Sequence, residues 1–359
     1  MSDSLSRRQK IIASVILFVL VIAIMVALAE GAVRLRQWMV HGQQGTVESL
    51  YHYDESSGLR VARAGYRTER VAINSLGFRG DEISDPKADG TIRIGFLGAS
   101  TTFSGEVANP DTWPARVVAK LRTRFPEHRF DYVNAGVPGY GVDSSIKAWV
   151  RRVKPLDPDV VVVYHATNDL SFDSRNQAIA QGVHDPDDKA QSWLYERSIL
   201  WQLAVKNVVI RFRSRGPDAD GTLQFDAAAA SGQFAERIQR LVRDIGTDQR
   251  LVVMPTFAYR LRRDQSAEVA REGALSALYY MPYMSIEALL DGYAAYNDRI
   301  RAVATTEGAL LVDGELDVPG DAAHFHDSVH FTVAGNEWMA ERVVNALVAS
   351  ERFQAMLNR

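Results

Sequence analysis

The stretch Ile92-Arg93-Ile94-Gly95-Phe96-Leu97 runs without a break into Gly98-Ala99-Ser100-Thr101-Thr102. A short apolar run that ends in a glycine and a serine has the pattern of a buried strand delivering a reactive residue at its carboxyl end. Four similar runs follow: Phe130 to Val133, Val160 to Tyr164, Leu251 to Met254 and Ala309 to Val312. Helical periodicity fills the gaps, over about Asp111 to Phe125, Asp143 to Val153, Ala229 to Ile245, Ile286 to Thr306 and Phe331 to Leu347. Strands alternating with helices make a parallel sheet, and right-handed crossovers put helices on both faces. The fold class predicted is α/β, a three-layer α/β/α domain over about residues 91–350. Two excursions, Ser171 to Asp226 and Tyr259 to Ser285, exceed ordinary connections and are expected to be lids or binding walls. No internal repeat or low-complexity tract interrupts the pattern, and Ala227 to Ala230 reads as a helix start.

Ahead of this domain, Ile11 to Ala29 is nineteen residues with no charge until Glu30 and a single hydroxyl at Ser14. As a helix, at about 1.5 Å per residue, it nearly spans a hydrocarbon layer of about 30 Å. Residues 11–29 are therefore read as one N-terminal transmembrane helix. Arg7, Arg8 and Lys10 precede it while Arg34 and Arg36 follow, which favours residues 1–10 as a cytoplasmic tail and the body of the chain outside the cytoplasm, in the periplasm. A cleaved signal peptide is the alternative, with Ala27-Leu28-Ala29 as its cleavage site; the run is longer than the usual core of such a segment. Residues 30–90, with Gly58, Gly65, Gly77 and Gly80 among short pieces such as Leu59 to Ala62 and Arg70 to Ile73, suit a small β-rich appendage.

Composition narrows the function. A length of 359 residues corresponds to about two folding units, and 47% apolar with 24% charged residues is ordinary for a chain with a real core. Forty-one basic against 44 acidic residues leave a net charge of -3, which gives no global field for nucleic acid phosphates. The absence of cysteine excludes a disulfide scaffold, Cys-ligated zinc and a thiolate nucleophile.

Ligands of open α/β sheets bind beyond the carboxyl ends of the strands, so residues there matter most. The first strand ends at Ser100, with Gly98 expected to permit an unusual backbone angle. The second ends in Asn134-Ala135-Gly136-Val137-Pro138-Gly139, and the third in Tyr164-His165-Ala166-Thr167-Asn168-Asp169. The last connection carries Asp327-Ser328-Val329-His330. Serine needs a base within hydrogen-bond reach, and the base needs a partner that fixes its tautomer. His330 and Asp327, three residues apart, can fill both roles for Ser100. A tetrahedral oxyanion needs preorganised donors, each worth about 2.7 to 4 kcal/mol. The N–H groups of Ser100 and Gly139 and the amide of Asn168 are candidates.

Ser, Gly, Asn and His in this chain order, at four predicted strand ends and with an Asp three residues before the His, resemble the SGNH, or GDSL, hydrolases over about Ile92 to Val344. The resemblance implies a flavodoxin-like fold and ester hydrolysis through an acyl-serine. It implies Ser100 as nucleophile, His330 as base, Asp327 as orienting acid, and Ser100, Gly139 and Asn168 as the oxyanion hole. Ile73-Asn74-Ser75-Leu76-Gly77-Phe78-Arg79-Gly80 resembles a segment ahead of the domain in membrane-anchored bacterial members. Two positions depart from the family pattern: Gly-Asp-Ser is Gly-Ala-Ser at Ala99, and Gly-x-Asn-Asp is Ala-Thr-Asn-Asp at Ala166. Neither removes a catalytic atom.

Other functions fit less well. Gly136, Gly139 and Gly141 have the wrong order for a dinucleotide loop. A nucleophile elbow of the α/β-hydrolase type would need glycine at Thr102. His324, His326, His330 and Asp327 form the one cluster that could hold zinc, which would leave Ser100, Gly139 and Asn168 without a purpose, so no metal or other cofactor is expected. His165 is either a substrate contact or a hydrogen-bonded structural residue, Asp313 a second acid or a turn residue, and Asp169 an N-cap. The stretch Tyr279 to Met284, with Trp193 and Trp201, either lines a binding wall or packs inward. Resemblance to anchored relatives points to an acylated glycan as the ester substrate. The same machinery with a sugar acceptor would be an O-acyltransferase, and lipid or thioester hydrolysis and an idle glycan-binding protein are further readings.

Overall fold

The computed structural model describes residues 7–41, 50–184, 198, 200–201 and 223–358. The first element, α1 (Arg7–His41), is one unbroken helix whose apolar side chains from Ile11 to Leu28 face outward. It runs past the predicted end at Ala29 into residues expected to be strand and turn. The Glu30–Arg34 ion pair at 2.8 Å, spaced one helical turn apart, helps carry it on. Beyond it, β1 (Tyr51–Asp54) and β2 (Leu59–Ala62) pair antiparallel. Arg70 to Ile73 does not become a ladder strand; isolated bridges join Arg67 to Ala72 and Ile73 to Arg79.

The five predicted runs become β3 (Thr91–Gly98), β4 (Arg129–Asn134), β5 (Val160–Tyr164), β6 (Leu251–Pro255) and β7 (Leu310–Val312). They form one wholly parallel sheet in the order β4-β3-β5-β6-β7, the flavodoxin-like order. Helices cover both faces, so β5 and β6 lack polar alternation: β5 is Val-Val-Val-Val-Tyr, and both are buried throughout. In β3, Arg93 is fully buried but matched, with Nε and Nη2 on Asp131 of β4 at 2.8 and 2.7 Å and the rest of the fork on Leu156 O and Ser84 O.

After β3 comes the one-turn helix α2 (Ser100–Phe103), then α3 (Trp113–Arg124), α4 (Val142–Ala148), α5 (Thr167–Ala180), α6 (Ala227–Gly246), α7 (Ala267–Tyr280), α8 (Ile286–Glu307), α9 (Val333–Ala349) and α10 (Glu351–Leu357). Their starts follow capping chemistry. Thr112, Asp226, Ser266, Ser285 and Thr332 each accept an N–H of the first turn, worth about 1 kcal/mol apiece. Helix α3 packs on α9, and α6 on α8 and α4. The two excursions are less loop-like than their sequences suggest: the first opens with most of α5, and the second contains all of α7. Residues 185–197 and 202–222 of the first, Trp193 among them, lie outside the described residues.

The register fixes where function can sit. Phe96 lies opposite Asn134 and Gly98 opposite Tyr164, so the segments after β3, β4 and β5 leave the sheet at one edge. Two of them are joined by Asp169, in the first turn of α5. Instead of capping its own helix, its buried carboxylate accepts Val142 N–H at 3.1 and 3.3 Å, capping α4, whose N-cap residue Gly141 has no side chain to offer. Burial pushes this carboxyl up to about 7, against the pull of the Val142 N–H and of Arg237, 3.5 Å away.

Between the ordinary carboxylate range and about pH 7 the folded protein keeps a proton on Asp169 that the unfolded chain has released. Its contribution to stability therefore falls as pH rises through that window and is flat above it. Asp169→Asn should narrow the difference between thermal midpoints at about pH 5 and about pH 8; an unchanged difference would contradict this account of the carboxyl.

Candidate active site

Strand β3 passes into α2 with no spare room. A Cβ on Gly98 would lie 2.0 Å from Thr102 Oγ1 and 2.9 Å from Tyr164 O, so glycine is required by space and not by the unusual backbone angle its sequence position suggested. Gly136 is needed for the same reason, since its Cβ would stand 2.6 Å from Phe103 N. Helix α2 ends at Ser104, in the left-handed region with φ 55 and ψ 51. Ser100 is the first helical residue and is partly exposed. Its N–H belongs to the set that has no acceptor within its own helix. The departure at Ala99 has a local cause: the side chain is buried in an apolar cluster with Leu59, Val61 and Phe103, where a carboxylate would be costly.

The segment after β7 brings the other half. His330 Nε2 lies 2.8 Å from Ser100 Oγ, and His330 Nδ1 lies 2.8 Å from Asp327 Oδ2. The three-residue spacing works because Asp327 also folds its own loop: Oδ1 accepts the N–H groups of Val329 and His330, both at 2.9 Å. Burial alone would raise the Asp327 carboxyl. The hydrogen bond and charge of His330 and the two N–H groups hold it well below the usual carboxylate range, so it is ionised at neutral pH.

This loop is fastened from both sides. Ser328 Oγ donates to Gly273 O at 2.6 Å and accepts Ala277 N–H at 3.1 Å, while Ser328 N–H donates to Ser276 Oγ at 3.1 Å, which staples the loop to α7. Asn336, fully buried in α9, donates to Phe331 O and Thr332 O and accepts from Ser104 Oγ at 3.0 Å and Trp113 N–H at 2.9 Å. One carboxamide thus links the loop that carries the imidazole to the turn that carries the hydroxyl.

Gly139 stands in the left-handed region, at φ 86, where an L side chain would be strained. The segment before it is tied to the turn that carries Ser100 through Asn134, whose Nδ2 donates to Thr102 O at 3.0 Å and whose Oδ1 accepts Gly136 N–H at 3.1 Å. Asn168 Nδ2 donates to Tyr140 O at 2.8 Å. A carboxamide carries two N–H donors, so one fixes its plane against the residue after Gly139 and the second is left for another acceptor. Ser100, Gly139 and Asn168 therefore lie on three segments joined by short hydrogen bonds at one sheet edge.

The remaining candidates separate cleanly. His165 is buried on Ser145 Oγ at 2.7 Å, and burial pushes it down to about 3, so it is a neutral structural residue. Asp313 pairs with Arg301 at 2.8 Å and accepts Gly314 N–H, as a turn residue does. His324 pairs with Asp321 at 2.8 Å and His326 is exposed; among the described residues no three His, Asp or Glu side chains gather as a metal site would require. Within Tyr279 to Met284, Met281, Tyr283 and Met284 pack inward and Tyr280 is exposed, as is Trp201. Sequence reasoning missed Ser276, Ser328 and Asn336 as supports. Asn336 carried a signal: it sits on the buried stripe shared with Met339, Ala340, Val343 and Leu347, where a polar residue needs a reason.

The model of the GDSL-like Lipase/Acylhydrolase family matches residues 96–338. No curated protein matches the chain significantly. Among solved structures, the acetyl xylan esterase AlAXEase is similar at 17% identity and a TM-score of 0.42, covering 71% of this chain and 99% of its own. Axe2, an acetylxylan esterase from Geobacillus stearothermophilus, gives 16% and 0.45, with 73% and 95% covered. A lipase/acylhydrolase from Enterococcus faecalis gives 16% and 0.43, with 71% and 95% covered. Since the family match begins inside β3 and ends inside α9, taking in every segment that meets at this sheet edge, the chain belongs to the GDSL-like lipase/acylhydrolase family and is a carboxylic ester hydrolase.

Proposed function

We propose that the protein is a membrane-anchored, extracytoplasmic serine esterase that removes O-acyl groups, chiefly acetyl, from a glycan. The observation that carries the chemistry is the continuous chain Asp327–His330–Ser100, with both contacts at 2.8 Å. His330 Nε2 takes the Ser100 proton as Oγ attacks the ester carbonyl carbon. The carbonyl oxygen becomes an oxyanion that accepts hydrogen bonds from Ser100 N–H, Gly139 N–H and the second N–H of Asn168. Asp327 steadies the imidazolium, which returns the proton to the leaving alkoxide as the ester C–O bond breaks. Water, deprotonated by His330, then attacks the acyl carbon; as the bond to Ser100 Oγ breaks, the imidazolium returns that proton to Oγ, releasing the carboxylic acid and restoring the serine. Side chains and backbone N–H groups suffice for each step.

Anchoring is supported by Ile11–Arg36, with a mean hydropathy of 3.3 over its most apolar window and none of that window buried. The basic residues ahead of it favour a cytoplasmic N-terminus. A sugar substrate is supported by Phe172, about half exposed and one helical turn after Asn168 on α5, with its ring beside Gly141. Aromatic faces of this kind stack on sugar rings.

Ser100→Ala in the detergent-solubilised full-length protein should abolish both fluorophosphonate labelling and hydrolysis of a short aryl ester, and His330→Ala should lower turnover by about 10³-fold or more. Undiminished turnover in Ser100→Ala would refute the mechanism. Acetyl esters should be cleaved faster than octanoyl esters, and Phe172→Ala should raise KM for an acetylated oligosaccharide while leaving aryl acetate turnover within about twofold. Preference for long acyl chains, or an unchanged KM, would argue for lipid over glycan.

A further inference from the structure

The segment between α1 and β3 does more than connect them. Its apolar residues Leu50, Tyr51, Leu59, Val61, Ala62, Tyr66 and Ile73 share one cluster with Ala99, Phe103, Val137, Tyr140 and Ala148. Ala99 and Phe103 flank Ser100, and Val137 and Tyr140 flank Gly139. The appendage thus packs on the two segments that carry the proposed nucleophile and one oxyanion donor.

Two arginines of the appendage complete the grip. Arg79 is buried, and its guanidinium is fully used: Nη1 donates to Phe103 O and to Ser104 O at 2.7 Å, Nη2 to Val107 O at 2.6 Å and Arg70 O at 3.2 Å, and Nε to Asn109 Oδ1 at 2.9 Å. Its cation also lies 4.8 Å from the Phe103 ring centroid. A four-residue helix cannot hold its own position, and its terminal carbonyls have no partners within it. Arg79 supplies those partners at the end of α2 where negative partial charge collects. Arg60 does the same for the oxyanion segment: Nη2 donates to Pro138 O, and Arg60 O accepts Tyr140 O–H at 2.6 Å. Gly139 lies between those two tethers.

We propose that Arg79 and Arg60 are positioning residues for hydrolysis, Arg79 fixing the nucleophile turn and Arg60 the Gly139 donor, so that the catalytic unit begins near residue 50 and not at β3. This rests on the roles proposed for Ser100 and Gly139. A displaced donor weakens binding of the oxyanion but not of the neutral ester, so the effect falls on kcat and not on KM.

The test compares Arg60→Ala, Arg60→Lys, Arg79→Ala and Ser100→Ala in the full-length protein with an aryl acetate, alongside thermal midpoints. Arg60 is exposed, so its variants should fold as the parent does. Arg60→Ala should lose roughly tenfold in kcat with KM within about twofold, and Arg60→Lys should recover part of the loss. Millimolar guanidinium should restore part of kcat to Arg60→Ala and to folded Arg79→Ala, and none to Ser100→Ala. Should Arg79→Ala not fold, the Arg60 pair decides. An Arg60→Ala enzyme with parental kcat, or a loss that neither lysine nor guanidinium relieves, overturns the inference. Active Ser100→Ala would instead overturn the proposed mechanism itself.

Discussion

The hydrogen bond between Ser100 Oγ and His330 Nε2 joins positions 230 residues apart. Neither partner can hold the other, because a single hydrogen bond contributes only about 1 kcal/mol net and each residue stands on a short, irregular segment. The geometry must come from outside the pair. Buried polar side chains around the site supply it: Asn336 ties the imidazole loop to Ser104, Ser328 staples that loop to α7, Asn134 ties the second strand end to Thr102, and Asp169 caps α4 from α5. Asn336, Ser328 and Asn134 each both donate and accept, which offsets most of the cost of placing a polar group in a dry interior.

The sheet explains why those supports converge. Parallel strands in the order β4-β3-β5-β6-β7 send their connections out over one edge, and β3, β4 and β5 end within two residues of each other in register. Small residues then let the segments approach. Gly98 and Gly136 remove atoms that would collide with Thr102 and Phe103, and Gly139 takes a backbone angle that side chains resist. Electrostatics follows from packing: Asp327 keeps its charge because His330 and two N–H groups surround it, whereas Asp169 and His165, with less compensation, are driven toward their neutral forms by burial.

The strands were legible in the sequence because each is a continuous apolar run fully buried in a parallel sheet, and the helices because their periodicity is long. Ends were less so. Helix α9 begins at Val333 and not Phe331 because Thr332 is its cap, a distinction of one side chain that periodicity does not see. Ser100, His330, Asp327, Gly139 and Asn168 stood out because reactive types followed strand ends. The supports did not, since a serine or asparagine acts as one only through partners far along the chain: Ser328 meets α7 some 50 residues before it in sequence, at Gly273, Ser276 and Ala277. The need for glycine at position 98 is not visible in the sequence, because the close approach of Thr102 and Tyr164 O exists only in three dimensions.

The central claim is that three donors from three strand ends surround the place where the oxyanion forms. The most direct measurement is a crystal structure of the enzyme after reaction with a fluorophosphonate. The account predicts a phosphorus atom bonded to Ser100 Oγ and a phosphoryl oxygen about 2.7 to 3.1 Å from Ser100 N, Gly139 N and Asn168 Nδ2. An adduct on another residue, or a phosphoryl oxygen turned to solvent with Gly139 and Asn168 out of reach, would contradict it.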